Sequence, residues 1–455
     1  MKPSNPPVEG GVTDIGRMID VGAWSNAQKL AVLIAALAIV LDGFANQALA
    51  LSIPMLMKAW HVERSAFLGV TIAGFAGMAV GTVAFGVLGD RLGRRPVLIG
   101  CVLLFAAPTL AIAFINGLGP LLALRLVGGL GLGGCMPNAT ALLAELTPAR
   151  SRSLAITSGI VGIPVGGTLG GLIGASVSAD HWQALYLIAG LCPLVIALLM
   201  IGLLPESPRF LAIRPQRKSE LVKTMRRFEN PIDPALPAVD SSGKRPEGAP
   251  GVMALFSKPY LTDTLGLWSA MFFTLLSVYG VVIWLPSILG EAHYPGPMTS
   301  TGLTYFNLGG IAAALGGAAC FNRFGSRNAL AVMALGAILA SAWLYAIPLD
   351  PKQSPLALLT ALTLQGGFIN GVQTTLYALA AFVYGTEMRS AGVGWAVGIG
   401  RVGAIICPLV GDQLIHLTGA NGFFGGFGLT MCVSLASLLM IRRHIPGRNR
   451  VSDKA

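Results

Sequence analysis

The chain has 455 residues, 54% of them hydrophobic and only 11% charged, with 59 glycines and a formal net charge of +11. Soluble domains carry about 25% charged residues, so a soluble globular fold is excluded and a polytopic membrane protein is indicated. The apolar runs are long and unbroken, whereas a transmembrane barrel needs short segments of alternating polarity.

Residues 1–28 are polar and mixed in charge, and the run after them is too long for the apolar core of a signal peptide. They are expected to form a cytoplasmic segment. The first apolar run, 29–53, spans the ~30 Å of a bilayer core at ~1.5 Å per residue. It contains Leu41-Asp42-Gly43-Phe44-Ala45-Asn46-Gln47. A carboxylate at that depth is costly unless it is protonated, paired or facing water. Asp42 is therefore expected to titrate or to have a cationic partner.

Further spans are predicted at 65–88, 95–115, 119–143, 153–177 and 183–204, then at 262–286, 301–321, 328–348, 355–383, 390–415 and 421–441. The fold class is an all-α membrane protein: twelve transmembrane helices in two six-helix pseudo-repeats, residues 29–205 and 262–441. A cytoplasmic linker, 206–261, holds Pro231, Pro234, Pro237, Pro246 and Pro250, with short helices expected near Arg214–Phe228, and a cytoplasmic tail occupies 442–455.

The positive charge is distributed as topology requires. With the N-terminus inside, 26 of the 31 Lys and Arg residues fall on cytoplasmic segments, and only Lys58, Arg64 and Lys352 fall outside. That is positive-inside bias rather than a nucleic-acid surface, and it places both termini in the cytoplasm. The six cysteines, Cys101, Cys135, Cys192, Cys320, Cys407 and Cys432, lie within spans without metal or redox spacing and are expected to be packing residues. Gly129-Leu130-Gly131-Leu132-Gly133-Gly134 matches a dinucleotide fingerprint but lies inside a span, where small residues allow close helix contact. The five histidines form no ligand cluster, and no nucleophile–base or metal set appears, so an enzyme is not expected.

Two basic residues lie deep in spans, Arg125 in the fourth and Arg401 in the eleventh, and Asp42 is the deep acid. Arginine stays charged at any accessible pH, so each guanidinium needs an anion. Two deep cations against one deep anion leave room for an anionic substrate. Asp42 lies ~20 Å from the inner end of its span and Arg125 ~9 Å from the outer end of its own, which makes them candidates for a pair. Between the second and third spans of each half a short connector recurs, Asp90-Arg91-Leu92-Gly93-Arg94-Arg95 and Asn322-Arg323-Phe324-Gly325-Ser326-Arg327. Its glycines suit a tight turn, and its arginines suit helix C-terminal carbonyls and nearby carboxylates.

Gly86 to Arg95 resembles the signature loop of the major facilitator superfamily. Arg125 to Gly133 with Pro137, Glu145, Pro148 and Arg152 is similar to that superfamily's fourth-helix pattern, and Pro205-Glu206-Ser207-Pro208-Arg209-Phe210-Leu211 to the motif after its sixth helix. In the second half, Trp284-Leu285-Pro286, Gln373 to Tyr377, Arg389 to Trp395 and Gly400-Arg401-Val402-Gly403 resemble one branch, the aromatic acid:proton symporters. The resemblance implies a carrier that takes up hydroxybenzoates, protocatechuate or hydroxyphenylpropionates with protons, by rocking of two halves. It implies a multi-pass protein of a bacterial inner membrane that acts as a monomer. Its partners are the bilayer, a small aromatic acid and protons, with no nucleic acid, and the coupling proton is the only cofactor.

The deep charges, the mid-span positions and the resemblance together suggest candidate roles. Asp42 and Arg125 would form the proton-coupling pair, since a state that separates them leaves a charge that a proton neutralises. The branch has a second acid three residues after the first; here that position is Ala45, followed by Asn46. Arg401, with room beside it from Gly400 and Gly403, would bind the substrate carboxylate. Phe44, Tyr279, Phe306 and Tyr377 would provide aromatic walls, Asn307, Gln365 and Gln373 would read a ring hydroxyl, and Asn46 would supply a neutral hydrogen bond. Asp90, Arg91, Arg94, Arg95, Glu145 and Arg152 would form an inner gate, with Arg323, Arg327, Glu387 and Arg389 opposite. Three alternatives stay open: a proton antiporter exporting a drug or metabolite, an importer of a non-aromatic organic acid, and a transporter-like chemosensor. The fifth-span run Gly162-Ile163-Pro164-Val165-Gly166-Gly167 matches the exporter pattern only in part.

Overall fold

A computed structural model describes residues 8–9, 12–240, 252–258 and 260–446; outside that description lie also the side chains of 8, 9, 12, 179, 252, 254, 317–322 and 385–391. Two strands and a helix come first, β1 (Val8–Glu9), β2 (Val12–Asp14) and α1 (Ile15–Val21). Six long helices follow: α2 (Asn26–Trp60), α3 (Leu68–Leu92), α4 (Arg94–Ile112), α5 (Leu118–Leu146), α6 (Ala149–Ser176) and α7 (Gln183–Leu203). Next come α8 (Pro208–Ala212), α9 (Lys218–Arg227) and β3 (Ala238–Val239). The second half contains α10 (Leu261–Glu291), α11 (Gly296–Phe324), α12 (Ser326–Ala346), α13 (Leu356–Val383) and α14 (Gly385–Met440). α14 is broken at Gly419, where φ is +73°, so its two arms supply the last two spans. Each predicted span falls on one of these helices or arms.

Local chemistry sets the ends. α2 begins with a capping box: the Gln28 N–H donates to Ser25 Oγ at 3.2 Å and the Ser25 N–H to Gln28 Oε1 at 2.9 Å. α3 stops at Gly93, whose φ of +113° favours glycine, and α11 stops at Gly325 with φ +79°. The two connectors alike in sequence thus turn alike. The halves also pack alike. α2 lies on α6, α3 on α5 and α4 on α7; in the second half α10 lies on α14, α11 on α13 and α12 on α14.

Small residues set the depth of these contacts. A Cβ at Gly129 would lie 2.3 Å from Gly74 O and one at Gly133 2.0 Å from Met78 O, both on α3; at Gly131 it would lie 2.6 Å from Cys101 O on α4. The run that mimics a dinucleotide motif is therefore a two-sided packing surface.

The halves meet at one face of the bundle. There the C-terminal part of α6 and the N-terminal part of α11 touch, with Gly171 against Thr304 and Gly174 against Ser300, and Gly290 of α10 approaches Pro54 of α2. At the other face, which carries the basic α3–α4 turn, a cavity of about 660 Å³ separates the start of α6 (Arg152, Ser153, Ile156, Thr157) from the end of α13 (Thr374, Thr375, Tyr377, Ala378). The linker is more than a tether. β3 pairs parallel to β2, and Phe210, Leu211, Leu221, Met225 and Ile232 close a small core on Ile15 and Ile19.

Candidate functional site

Seven of the predicted substrate residues line one cavity between the halves: Asn46 on α2, Tyr279 on α10, Phe306 and Asn307 on α11, Gln373 and Tyr377 on α13, and Arg401 on α14. Met136, Ile163, Pro164 and Asn370, which sequence reasoning missed, complete its walls. The enclosed part holds about 60 Å³ and shares Ile160, Ala314, Thr374 and Tyr377 with the large cavity on the basic face. Arg401 Nη1 donates to the Tyr279 hydroxyl at 3.1 Å. Across the interface, the Phe75 ring meets the Tyr279 ring edge-on at 5.0 Å. Gln47 and Asn307, one from each half, exchange amide hydrogen bonds at 3.0 and 2.9 Å.

Two predicted wall residues lie elsewhere. Phe44 turns its ring onto α6, where a Cβ at Gly170 would touch it at 2.8 Å. Gln365 faces α12 and donates to Ser341 Oγ at 2.9 Å. Both point along helix–helix seams inside one half, a direction that depth along the span does not specify. Gly400 and Gly403 also serve another purpose than expected. A Cβ at Gly403 would lie 2.4 Å from Phe272 O and one at Gly400 3.1 Å from Leu275, so they seat α14 on α10 instead of opening space beside Arg401.

The deep charges are all buried, with Asp42 5%, Arg125 6% and Arg401 7% exposed. The structure does not bring Asp42 and Arg125 into an ion pair. Arg125 Nη1 donates to Ala45 O at 3.3 Å, Nη2 reaches the Tyr186 hydroxyl at 3.5 Å, and the guanidinium lies 5.7 Å from the Tyr186 ring centroid. Among the described residues Asp42 has no hydrogen bond, and the Nε atoms of Arg125 and Arg401 have no partner. Asn46 and Gln47 face the cavity and leave Asp42 to itself.

On the basic face the predicted gate residues of the first half assemble. Arg94 pairs with Asp90 and holds Glu145 at 3.6 Å. The Arg95 backbone N–H donates to Glu206 Oε1 at 3.1 Å, and the Arg91 carbonyl accepts from Arg214. Burial pushes the Glu206 carboxyl up from the ordinary carboxylate range, against the opposing hydrogen bonds from Ser207 and Arg95. Arg152 pairs with Asp20 of the N-terminal segment, which also takes Arg209. Among the described residues, neither Arg323 nor Arg327 makes an ion pair, and the Glu387 and Arg389 side chains lie outside the description.

The face where the halves meet has charges that the sequence reading did not join. Arg64, between α2 and α3, lies 3.1 Å from Glu291 on α10 and 3.5 Å from Asp412 on α14. Its signal was available: Arg64 is one of three basic residues on a face otherwise stripped of them.

Comparison with known proteins agrees with this architecture. The family model of the Major Facilitator Superfamily matches residues 35–353. The 4-hydroxybenzoate transporter PcaK of Pseudomonas aeruginosa is 37% identical over 427 residues, covering 91% of this chain and 92% of that protein. The gallate transporter of Pseudomonas putida is 35% identical, covering 95% and 94%. The inward-open structure of the xylose transporter XylE from E. coli aligns with a TM-score of 0.71 at 16% identity, over 92% of this chain and 98% of that one. Two six-helix halves closed at one face around a shared cavity, and a family match over most of the chain, lead to one conclusion: the protein belongs to the major facilitator superfamily.

Proposed function

We propose that the protein is a secondary active transporter that couples proton entry to uptake of a small aromatic carboxylate by alternating access. One observation carries this reading. Arg401 is buried in the wall of the inter-half cavity with an unpartnered Nε, beside the rings of Tyr279, Phe306 and Tyr377. A permanent cation in a low-dielectric site calls for an anion, and flat aromatic walls suit a ring. The relatives named for 4-hydroxybenzoate and gallate transport support the same substrate class, since both compounds are hydroxylated benzoates.

Asp42 is the proton site in this reading. A lone carboxylate at mid-membrane, without a hydrogen bond, is relieved of its desolvation cost by a proton. An anion bound at Arg401 offsets a buried positive charge and so lowers the cost of placing a proton on Asp42, which links the two events. The large cavity on the basic face then corresponds to a cytoplasm-facing state. The charge bias supports that orientation, with both termini cytoplasmic in a bacterial inner membrane and the monomer as the working unit.

The test is uptake of labelled 4-hydroxybenzoate, benzoate and xylose into right-side-out vesicles under an inward proton gradient, with and without an uncoupler. Accumulation of the aromatic acids alone, abolished by the uncoupler, is expected. Accumulation of xylose instead, or gradient-driven expulsion of the acids, would refute the reading.

A further inference from the structure

The Gln47–Asn307 pair is both a wall of the cavity and a bond between the halves. Gln47 Nε2 donates to Asn307 Oδ1 at 3.0 Å, and Asn307 Nδ2 returns the bond to Gln47 Oε1 at 2.9 Å. Asn307 is oriented by a second donation, to Leu303 O at 2.8 Å. The two residues are 5% and 3% exposed and line the same cavity as Arg401 and Tyr279. A third helix closes on the pair. A Cβ at Gly167 of α6 would lie 2.2 Å from Gln47 Nε2 and 2.7 Å from Asn307 Oδ1. Absence of a side chain at Gly167 is what leaves space for the amides to meet.

Rocking that opens the closed face moves α2 and α6 away from α11. Each amide then loses a partner it both gave to and took from. Leaving such groups unmade in a buried site costs more than the bond itself contributes. A carboxylate cannot replace the lost partner, because it only accepts. An unsubstituted ring offers nothing. A ring hydroxyl can donate to one amide oxygen and accept from an amide N–H.

We propose that Gln47 and Asn307 form a hydroxyl-sensing latch, in which a ring hydroxyl of the bound acid takes the place of the amide–amide bond as the halves part. Hydroxylated benzoates are thereby favoured over benzoate, and their binding lowers the cost of releasing this face. The inference rests on the aromatic-carboxylate reading of the cavity and goes beyond it by assigning the ring substituent and the residues that select it.

The test compares 4-hydroxybenzoate with benzoate as probes of the full-length protein, by direct binding in detergent and by exchange in vesicles. The wild type is expected to favour the hydroxylated acid by about tenfold. In Gln47→Leu and Asn307→Leu, affinity for 4-hydroxybenzoate falls about tenfold further than affinity for benzoate. Gly167→Ala, which keeps both amides but wedges them apart, narrows the preference as well. The exchange Gln47→Asn with Asn307→Gln keeps both amides and restores part of it. Equal loss of both probes in the Leu variants, or an unchanged ratio in variants that still bind, would overturn the latch. Wild-type binding of both acids without preference would overturn the latch alone, because water admitted on opening would then be satisfying the amides. Binding of neither acid would instead remove the substrate reading on which it stands.

Discussion

Arg64 is expected to hold the closed face shut. It belongs to the first half, and its charge partners belong to the second. Its side chain is 12% exposed, with Nε 3.1 Å from Glu291 and Nη2 3.5 Å from Asp412, and its guanidinium lies 5.5 Å from the Trp284 ring centroid. The Glu291 side chain is 42% exposed, so water screens that contact and it contributes under ~0.5 kcal/mol. The Asp412 side chain is only 13% exposed and takes a larger share, ~1 kcal/mol. The contact with Trp284 adds ~0.5 kcal/mol. Loss of ~1.5–2 kcal/mol shifts a two-state equilibrium by a factor on the order of 10–30. The substitution is Arg64→Gln, and the reporter is Ser300→Cys, an almost isosteric change at a fully buried residue between α6 and α11. With the exposed Cys192 and Cys432 changed to serine, an impermeant maleimide reports opening of this face. Labelling is expected to quicken about tenfold in Arg64→Gln and less in Glu291→Gln. A rate within twofold of the parent would refute the gate.

Three further outcomes follow from single residues. Asp42→Asn is expected to abolish uphill, gradient-driven accumulation while substrate exchange at equilibrium survives; uphill accumulation by this variant would end the coupling role. Arg401→Lys keeps the charge but loses the planar fork. Affinity for 4-hydroxybenzoate should fall at least tenfold further than affinity for the neutral 4-hydroxybenzamide, whereas equal losses in a binding assay would remove Arg401 from the carboxylate site. Gly93→Ala forces a side chain onto a φ of +113° and places its Cβ 2.1 Å from Glu206 Oε2. A destabilisation of ~1–3 kcal/mol is expected as a lower thermal midpoint in detergent; an unchanged midpoint would contradict it.

Span number, span order and the two turning connectors were legible because they depend on one-dimensional signals: run length, charge placement and glycine at positive φ. Depth was legible too, and depth together with the family resemblance named seven residues that line one cavity. The direction of a side chain around its helix was not. Phe44 is two residues from Asn46 and turns to α6 instead of the cavity, and Gln365 turns to α12. In a buried helix both faces are apolar, so no amphipathic stripe tells a seam from a cavity wall. Asp42 and Arg125 are unpaired in this state for a related reason. Two deep charges in one half suggested each other, but Arg125 is held by Tyr186 and the Ala45 carbonyl. Asp20 was overlooked because its partners Arg152 and Arg209 lie far along the chain, on α6 and α8.

The lone deep carboxylate bears on stoichiometry. With Asp42 ionised, Arg125 and Arg401 leave the empty centre with a net buried charge of +1. An anion at Arg401 together with a proton on Asp42 gives +1 again. A proton without substrate would give +2, and concentrating charge in a low-dielectric site is strongly unfavourable. With Asp42 as the proposed proton site, proton entry without substrate would be opposed by the same buried arginines, which would limit leak. One proton with one monoanion also moves no net charge across the membrane. Accumulation should therefore follow the pH gradient and ignore the membrane potential. The measurement is uptake of 4-hydroxybenzoate under a potassium diffusion potential, interior negative, with equal pH on both sides. No accumulation above equilibrium is expected. Potential-driven accumulation would require a second proton per cycle. Since Ala45 stands where the branch has its second acid, that result would show that another group carries a proton alongside Asp42.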